Sequence, residues 1–201
     1  ALEVSDADSA QNNTRNTGGL RAGAGTHATV TGGSFTNFWG PCLCTYGKDS
    51  RIKAENLTLS SKFRTIEAGP NSKIELKNCR VEQTLPTDNY TGSDNYIYSA
   101  ILVDGGEAVL EDTSVSGVNQ ASAAVYVQRN NQPGRFTMEG SSIKASSSIK
   151  ATNNNALFAT GSSVIRLTNV NVDNTVSNRP TIYVNNSTDL TLSNCVLKGG
   201  D

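Results

Sequence analysis

The sequence predicts an all-β fold, a right-handed parallel β-helix of about seven coils, and three observations lead there. An apolar-x-apolar run, a short gap, a second alternating run and a small polar turn recur seven times, most clearly in TIEAGPNSKIELKNCRV, ALFATGSSVIRLTNVNV and TIYVNNSTDLTLSNCVL. Val30, Ala54, Leu76, Leu110, Met138, Leu167 and Leu192 fill the central apolar slot of the second run in successive copies. Two residues later stand Gly32, Asn56, Asn78, Asp112, Gly140, Asn169 and Asn194.

Each observation has a physical reading. Apolar alternation that survives insertions of variable length is expected of stacked strands, where only the inward residues must keep register and loops absorb the rest. Asn, Asp and Gly accept the left-handed backbone of a tight turn, so their column marks a corner between two sheets. Stacked asparagines there can hydrogen-bond from coil to coil. With a rise of about 4.8 Å per coil, seven coils give a rod roughly 34 Å long. Residues 1–16 read as an N-terminal extension or junction strand, and 17–201 as a single β-helix domain.

Composition fits this reading. A narrow solenoid interior needs few large side chains, and aromatic residues make up 6% of the 201-residue chain. A net charge of −1 with no basic groove argues against a nucleic-acid partner. No apolar stretch has the length of a membrane span, and no signal peptide is evident. A chain that begins at Ala rather than Met is expected to be a processed or cut form, which suits an extracellular or cell-surface protein.

The cysteines are read against the coil register. Cys79 and Cys195 both follow the corner Asn but lie four coils apart, about 19 Å, too far for a bridge whose Cα atoms must approach within about 7 Å. Both are expected to be small buried hydrophobes. Cys42 and Cys44 form a C-x-C expected on one side of a strand, without the further ligands a metal site requires. Neither a metal nor a cofactor is expected. The five N-x-[ST] sequons, at Asn12, Asn56, Asn89, Asn185 and Asn186, are about what the Asn, Ser and Thr content gives by chance.

Outward positions carry the candidate sites. In the second run Lys53 stacks on Glu75 and Glu55 on Lys77, a solvated face of opposite charges. Glu111 over Glu139 breaks the pattern, placing two carboxylates on neighbouring coils near the 5–5.5 Å separation of a retaining glycosidase, and this is the one catalytic pair to weigh. In the first run the outward column reads Arg21, Cys44, Glu67, Leu102, Tyr126, Phe158 and Tyr183. Its last four members form an apolar and aromatic stripe, suited to sugar rings, a covering loop or another subunit.

Insertions gather after the second run, near Phe38 and Trp39, and at 61–64, 82–99, 144–155 and 173–180, so they should line one side of the rod. The longest carries Tyr90, Tyr96 and Tyr98, with Asp88 and Asp94, and with Trp39 these are candidate glycan-binding residues.

Over almost its whole length the repeat resembles the pectate-lyase-like superfamily, and its coils are similar to those of pertactin-type autotransporter passengers. The resemblance implies a parallel β-helix, an architecture shared by enzymes, tailspikes and adhesins. Arg51-Ile52-Lys53 resembles the RIK of polygalacturonases, but the paired aspartates and the Gly-His-Gly of that family are missing. His27, the single histidine, is expected to be an ordinary surface residue.

Finally, the last coil runs TDLTLSNCVLKGGD without a polar cap or amphipathic helix, which would leave strand edges and apolar interior open. Leu190, Leu192 and Leu197 are then assembly residues, with Leu2 and Val4 as a strand that crosses the junction. The favoured expectation is a non-catalytic, extracellular structural or adhesive solenoid, an adhesin or filament that assembles with itself or forms part of a longer rod. The alternative is a polysaccharide-active enzyme or glycan-binding tailspike segment.

Overall fold

A computed structural model describes residues 2–5, 18–86, 98–141, 147–174 and 178–199. After β1 (Leu2–Ser5), coil one carries β2 (Leu20–Ala22) and β3 (His27–Phe38), and coil two carries β4 (Leu43–Thr45) and β5 (Ser50–Ser61). Coil three holds β6 (Ile66–Ala68), β7 (Ser72–Lys77) and β8 (Arg80–Gln83), and coil four β9 (Ile101–Asp104), β10 (Glu107–Glu111) and β11 (Ser114–Gly117). Coil five holds β12 (Val125–Gln128), β13 (Arg135–Glu139) and β14 (Ser147–Ala151); coil six holds β15 (Leu157–Ala159), β16 (Val164–Thr168) and β17 (Val170–Asn174). Coil seven ends the described chain with β18 (Ile182–Val184), β19 (Asp189–Ser193) and β20 (Val196–Lys198).

These strands form a parallel β-solenoid. The first strands of the coils stack into one seven-stranded sheet, β18-β15-β12-β9-β6-β4-β2, so six steps separate the first coil from the last. The second and third strands form two more stacks. Because β3 and β5 run unbroken through the corner, those two stacks count as one thirteen-stranded sheet. The expected register holds in every step: Val30, Ala54, Leu76, Leu110, Met138, Leu167 and Leu192 are successive partners. Inward residues such as Ile52, Ile74, Phe136 and Ile165 make one continuous apolar column down the axis.

The corner column behaves as its composition requires. Asn56, Asn78, Asp112, Asn169 and Asn194 have φ between 45° and 58°, and Gly32 has 69°. Most other residues would pay about 1–2 kcal/mol in this region. The ladder is partial: Asn78 Nδ2 donates to Asn56 Oδ1 at 2.5 Å, whereas Asn169 Nδ2 donates to the Gly140 carbonyl at 3.0 Å. Gly140 departs from expectation. It is not left-handed, and its glycine is required because a Cβ would lie 2.4 Å from the Asn169 carbonyl.

A second left-handed column, between the first and second sheets, was not anticipated. It contains Gly25, Asp49, Asn71, Gly105, Ser162 and Ser187, and in coil five the left-handed residue is shifted to Asn131. Just before the first outward residue of the second sheet, Ser50, Ser72, Ser163 and Thr188 each donate a hydroxyl hydrogen bond to the carbonyl three residues back, at 2.5–2.8 Å. Gly106 and Gly134 take this position in coils four and five. A Cβ there would meet the Gly69 and Gln128 carbonyls at 2.3 and 2.6 Å.

The insertions are less uniform than expected. Segment 144–155 contains β14 and is therefore not a loop throughout. Most of the 82–99 insertion, including Tyr90, Tyr96, Asp88 and Asp94, lies outside the described residues.

Candidate functional site

The outward column of the first sheet is in the expected register from Arg21 to Tyr183. Its chemistry changes along the rod. Arg21 lies 5.6 Å from the Tyr46 ring centre, and Arg64 pairs with Glu67 at 2.8 Å. Leu102 is 1% exposed, which corrects the idea that it belongs to an open stripe. The open part is a ladder of three rings. Tyr126 and Phe158 stack at 4.8 Å between centroids with planes 23° apart, and Phe158 and Tyr183 at 5.3 Å and 15°. Rings stacked face to face have spent their faces on one another and offer sugars mainly their edges, which is poor geometry for carbohydrate stacking. Tyr183, 43% exposed, ends the ladder against the open edge of the sheet.

Two other predicted binding residues belong to a satellite core. Trp39 packs edge-on against Phe63 at 5.2 Å, and Phe63 against Tyr98 at 5.4 Å. Lys62 Nζ sits 4.1 Å from the centre of the Trp39 ring. Tyr98 is buried. These rings clamp the 61–64 turn to the flank of the solenoid, the covering role that a loop aromatic can play instead of ligand binding.

On the second sheet Glu111 and Glu139 are register partners, as predicted, and both are exposed. Lys77 decides how Glu111 behaves. Its Nζ donates to Glu111 Oε1 at 2.9 Å rather than forming a close pair with Glu55, and this hydrogen bond raises the Lys77 pKa. Arg51, Lys53 and Lys73 converge on Glu75 at 3.2–3.9 Å. The face is a ladder of ion pairs in water, whose members are individually worth about 0–1 kcal/mol.

One concavity escaped the sequence reading. The first outward residues of the second sheet, His27, Arg51, Lys73, Glu107 and Arg135, stack in register and line an open trough of about 500 Å3, walled by Gln132 and Pro133. Lys73 lies 3.5 Å from Glu107, and His27 Nε2 is 3.1 Å from the Asp49 carbonyl oxygen. The signal was present in the sequence as a column of long polar side chains immediately after the second corner.

The thiols are structural. Cys42 turns into the core and donates to the Phe35 and Ser60 carbonyls at 3.4 and 3.3 Å, whereas Cys44 sits in the outward column beside Glu67. The C-x-C pair therefore does not share one side. Burial pushes both pKa values up to about 12. Cys79 and Cys195 donate to the carbonyl two residues back, at 3.2 and 3.3 Å, the same bond that the Thr113 hydroxyl makes to Glu111 at 2.8 Å. They are corner hydrogen-bonding groups as well as small hydrophobes. Among the described residues no group of three His, Cys, Asp or Glu converges as metal ligands, and no helix is long and apolar enough to cross a membrane.

Coil seven stands apart from the coils before it. Leu192, Val196 and Leu197 are 39%, 48% and 49% exposed, and the backbone edges of β18, β19 and β20 have no partner strand among the described residues. Leu190 is half-buried. At the other end, Leu2 and Val4 lie in β1, which pairs in parallel with the second half of β3, Leu2 opposite Gly33 and Val4 opposite Phe35. This strand is thus engaged within its own chain.

No protein-family model matches the chain, and comparisons with curated proteins and with solved structures find no match.

Proposed function

We propose that the chain is a non-catalytic structural or adhesive β-solenoid of the cell exterior, acting by end-on stacking of coil seven against a further coil, in a longer rod or between copies of itself. The observation that carries this reading is coil seven. Three adjacent strand edges offer unpaired donors and acceptors, and apolar residues of the interior column stand open between them. Covering the inward Leu192 and Leu197 stabilises a stacked coil by roughly 1 kcal/mol each, in addition to the ladder hydrogen bonds. A heterologous contact of this kind propagates along the axis rather than closing a ring. The test is light scattering and negative-stain microscopy over a dilution series. Rods longer than one solenoid are expected, and a strictly monomeric chain at all concentrations contradicts stacking between copies.

The trough on the second sheet supports a second reading, glycan binding. It sets the cations Arg51, Lys73 and Arg135 beside the carboxylate of Glu107, groups that donate to and accept from sugar hydroxyls, along a line that rises about 4.8 Å per coil. Glycan arrays and polysaccharide-cleavage assays test it. Retention that is lost in Arg135→Ala supports binding there, and cleavage lost in Glu139→Gln would revive the catalytic alternative for the Glu111 and Glu139 pair.

A further inference from the structure

The inward and outward columns fix what would meet if coil seven stacked on coil one of another copy. Following each register through the rod, Ile182, Tyr183 and Val184 fall on the column positions of Leu20, Arg21 and Ala22. Likewise Asp189, Leu190, Thr191, Leu192 and Ser193 fall on those of His27, Ala28, Thr29, Val30 and Thr31. The two surfaces are complementary. Leu20, Ala28 and Val30 at one end, and Ile182, Val184 and Leu190 at the other, are half-buried members of the same apolar column, with no further coil over them among the described residues. Asp189 meets the His27 position, where a carboxylate can accept a hydrogen bond from the imidazole ring. The open Tyr183 ring meets Arg21, whose guanidinium already lies over an aromatic ring in its own chain.

The third sheet adds a conflict. In coil order β1 fills the slot just before the second half of β3. If the first and second sheets of two copies join, the incoming β20 must fill that same slot. The two strands cannot both occupy it.

We propose that the partner of coil seven is coil one of a second copy in this register, and that β1 is a guard strand that must leave before the third sheet can join. This rests on the end-on stacking reading above and adds to it the register and the guard. Once β1 departs, its place against β3 is taken by Val196–Lys198 of the neighbour, an exchange of one parallel strand for another.

Sedimentation velocity on the full chain, on Val4→Pro and on a chain lacking residues 1–5 tests the guard, with circular dichroism confirming that each stays folded. Proline cannot donate a backbone N–H and fixes φ, which weakens the pairing of β1, and the chain lacking residues 1–5 removes that strand outright. Both altered chains are expected to associate at least about tenfold more tightly than the parent. On the background that associates, His27→Asp faces Asp189 with like charge and weakens association, and adding Asp189→Lys restores it. Association that the double substitution does not restore overturns the register while leaving end-on stacking intact. Association no stronger without β1 than with it overturns the guard. Monomers in every variant overturn both the inference and the stacking reading.

Discussion

Coils six and seven share one pattern and differ in one circumstance. Leu167 and Leu192 are register partners, as are Val172 and Leu197, yet exposure rises from 1% to 39% in the first pair and from 0% to 49% in the second. Coil six has a coil on either side, and coil seven has one. Inward direction alone therefore does not bury a residue in a solenoid. A coil supplies half of a core, and its successor supplies the rest.

The sharpest way to break that comparison is a matched pair of truncations. Leu167→Ala removes side-chain volume from a filled interior and is expected to cost about 3 kcal/mol in urea unfolding, within the range of large-to-small core changes. Leu192→Ala at the same slot should cost about 1 kcal/mol, because its side chain is already half in water. Equal costs for the two would show that coil seven is covered in solution.

Comparable in size is the alkaline limb, which contrasts the buried thiols of coil two with the open end. Burial raises the folded pKa of Cys42 and Cys44 from 9.0 to about 12, so both states hold the thiol proton below pH 9. Above it the unfolded chain loses protons that the folded chain keeps, and stability falls toward pH 12 by about 1.4 kcal/mol per pH unit for each thiol. Cys42→Ala should flatten that slope in chemical denaturation series at pH 8–11. In the folded chain, thiol alkylation followed by mass spectrometry should label the half-buried Cys195 first and leave buried Cys42 and Cys44 unmodified.

The corners give a smaller contrast. Asn78→Ala forces a left-handed alanine and removes the bond to Asn56, an expected loss of about 1–2 kcal/mol in melting experiments. Asn194→Ala carries the same backbone strain but sits at the open end, so its effect should be nearer 1 kcal/mol. Smallest is Lys77→Ala on the outer face. Loss of the exposed pair with Glu111 should barely move the urea midpoint, and the difference should shrink further in high salt.

What could be read from residues alone follows from what repeats. The strand register, the Asn corner and the outward columns were legible because each recurs at one slot per coil. Gly140 misled because glycine serves both a left-handed turn and a close backbone approach, and only the neighbouring Asn169 carbonyl separates the two. The second corner was missed because its residues are mixed, Gly, Asp, Asn and Ser, and its constant feature is a hydroxyl bond one position later. Leu102 read as exposed because parity assigns a direction to a side chain and says nothing of what covers it. The trough needed coils of unequal length to be superposed, since Gln132 and Pro133 belong to an insertion that a linear reading sets apart from His27 and Lys73.

The strand order has a consequence for synthesis. From β4 onward, each strand pairs only with strands one coil before or after it, so a chain that emerges from its N-terminal end can lay each coil on a finished one. No pairing has to wait for a distant segment, which spares the long loop closure that slows most β folds. The growing end would at every stage resemble coil seven, one apolar rim awaiting the next turn. Release of progressively shorter chains from stalled ribosomes, with protease sensitivity as the readout, should therefore show protection advancing one coil at a time.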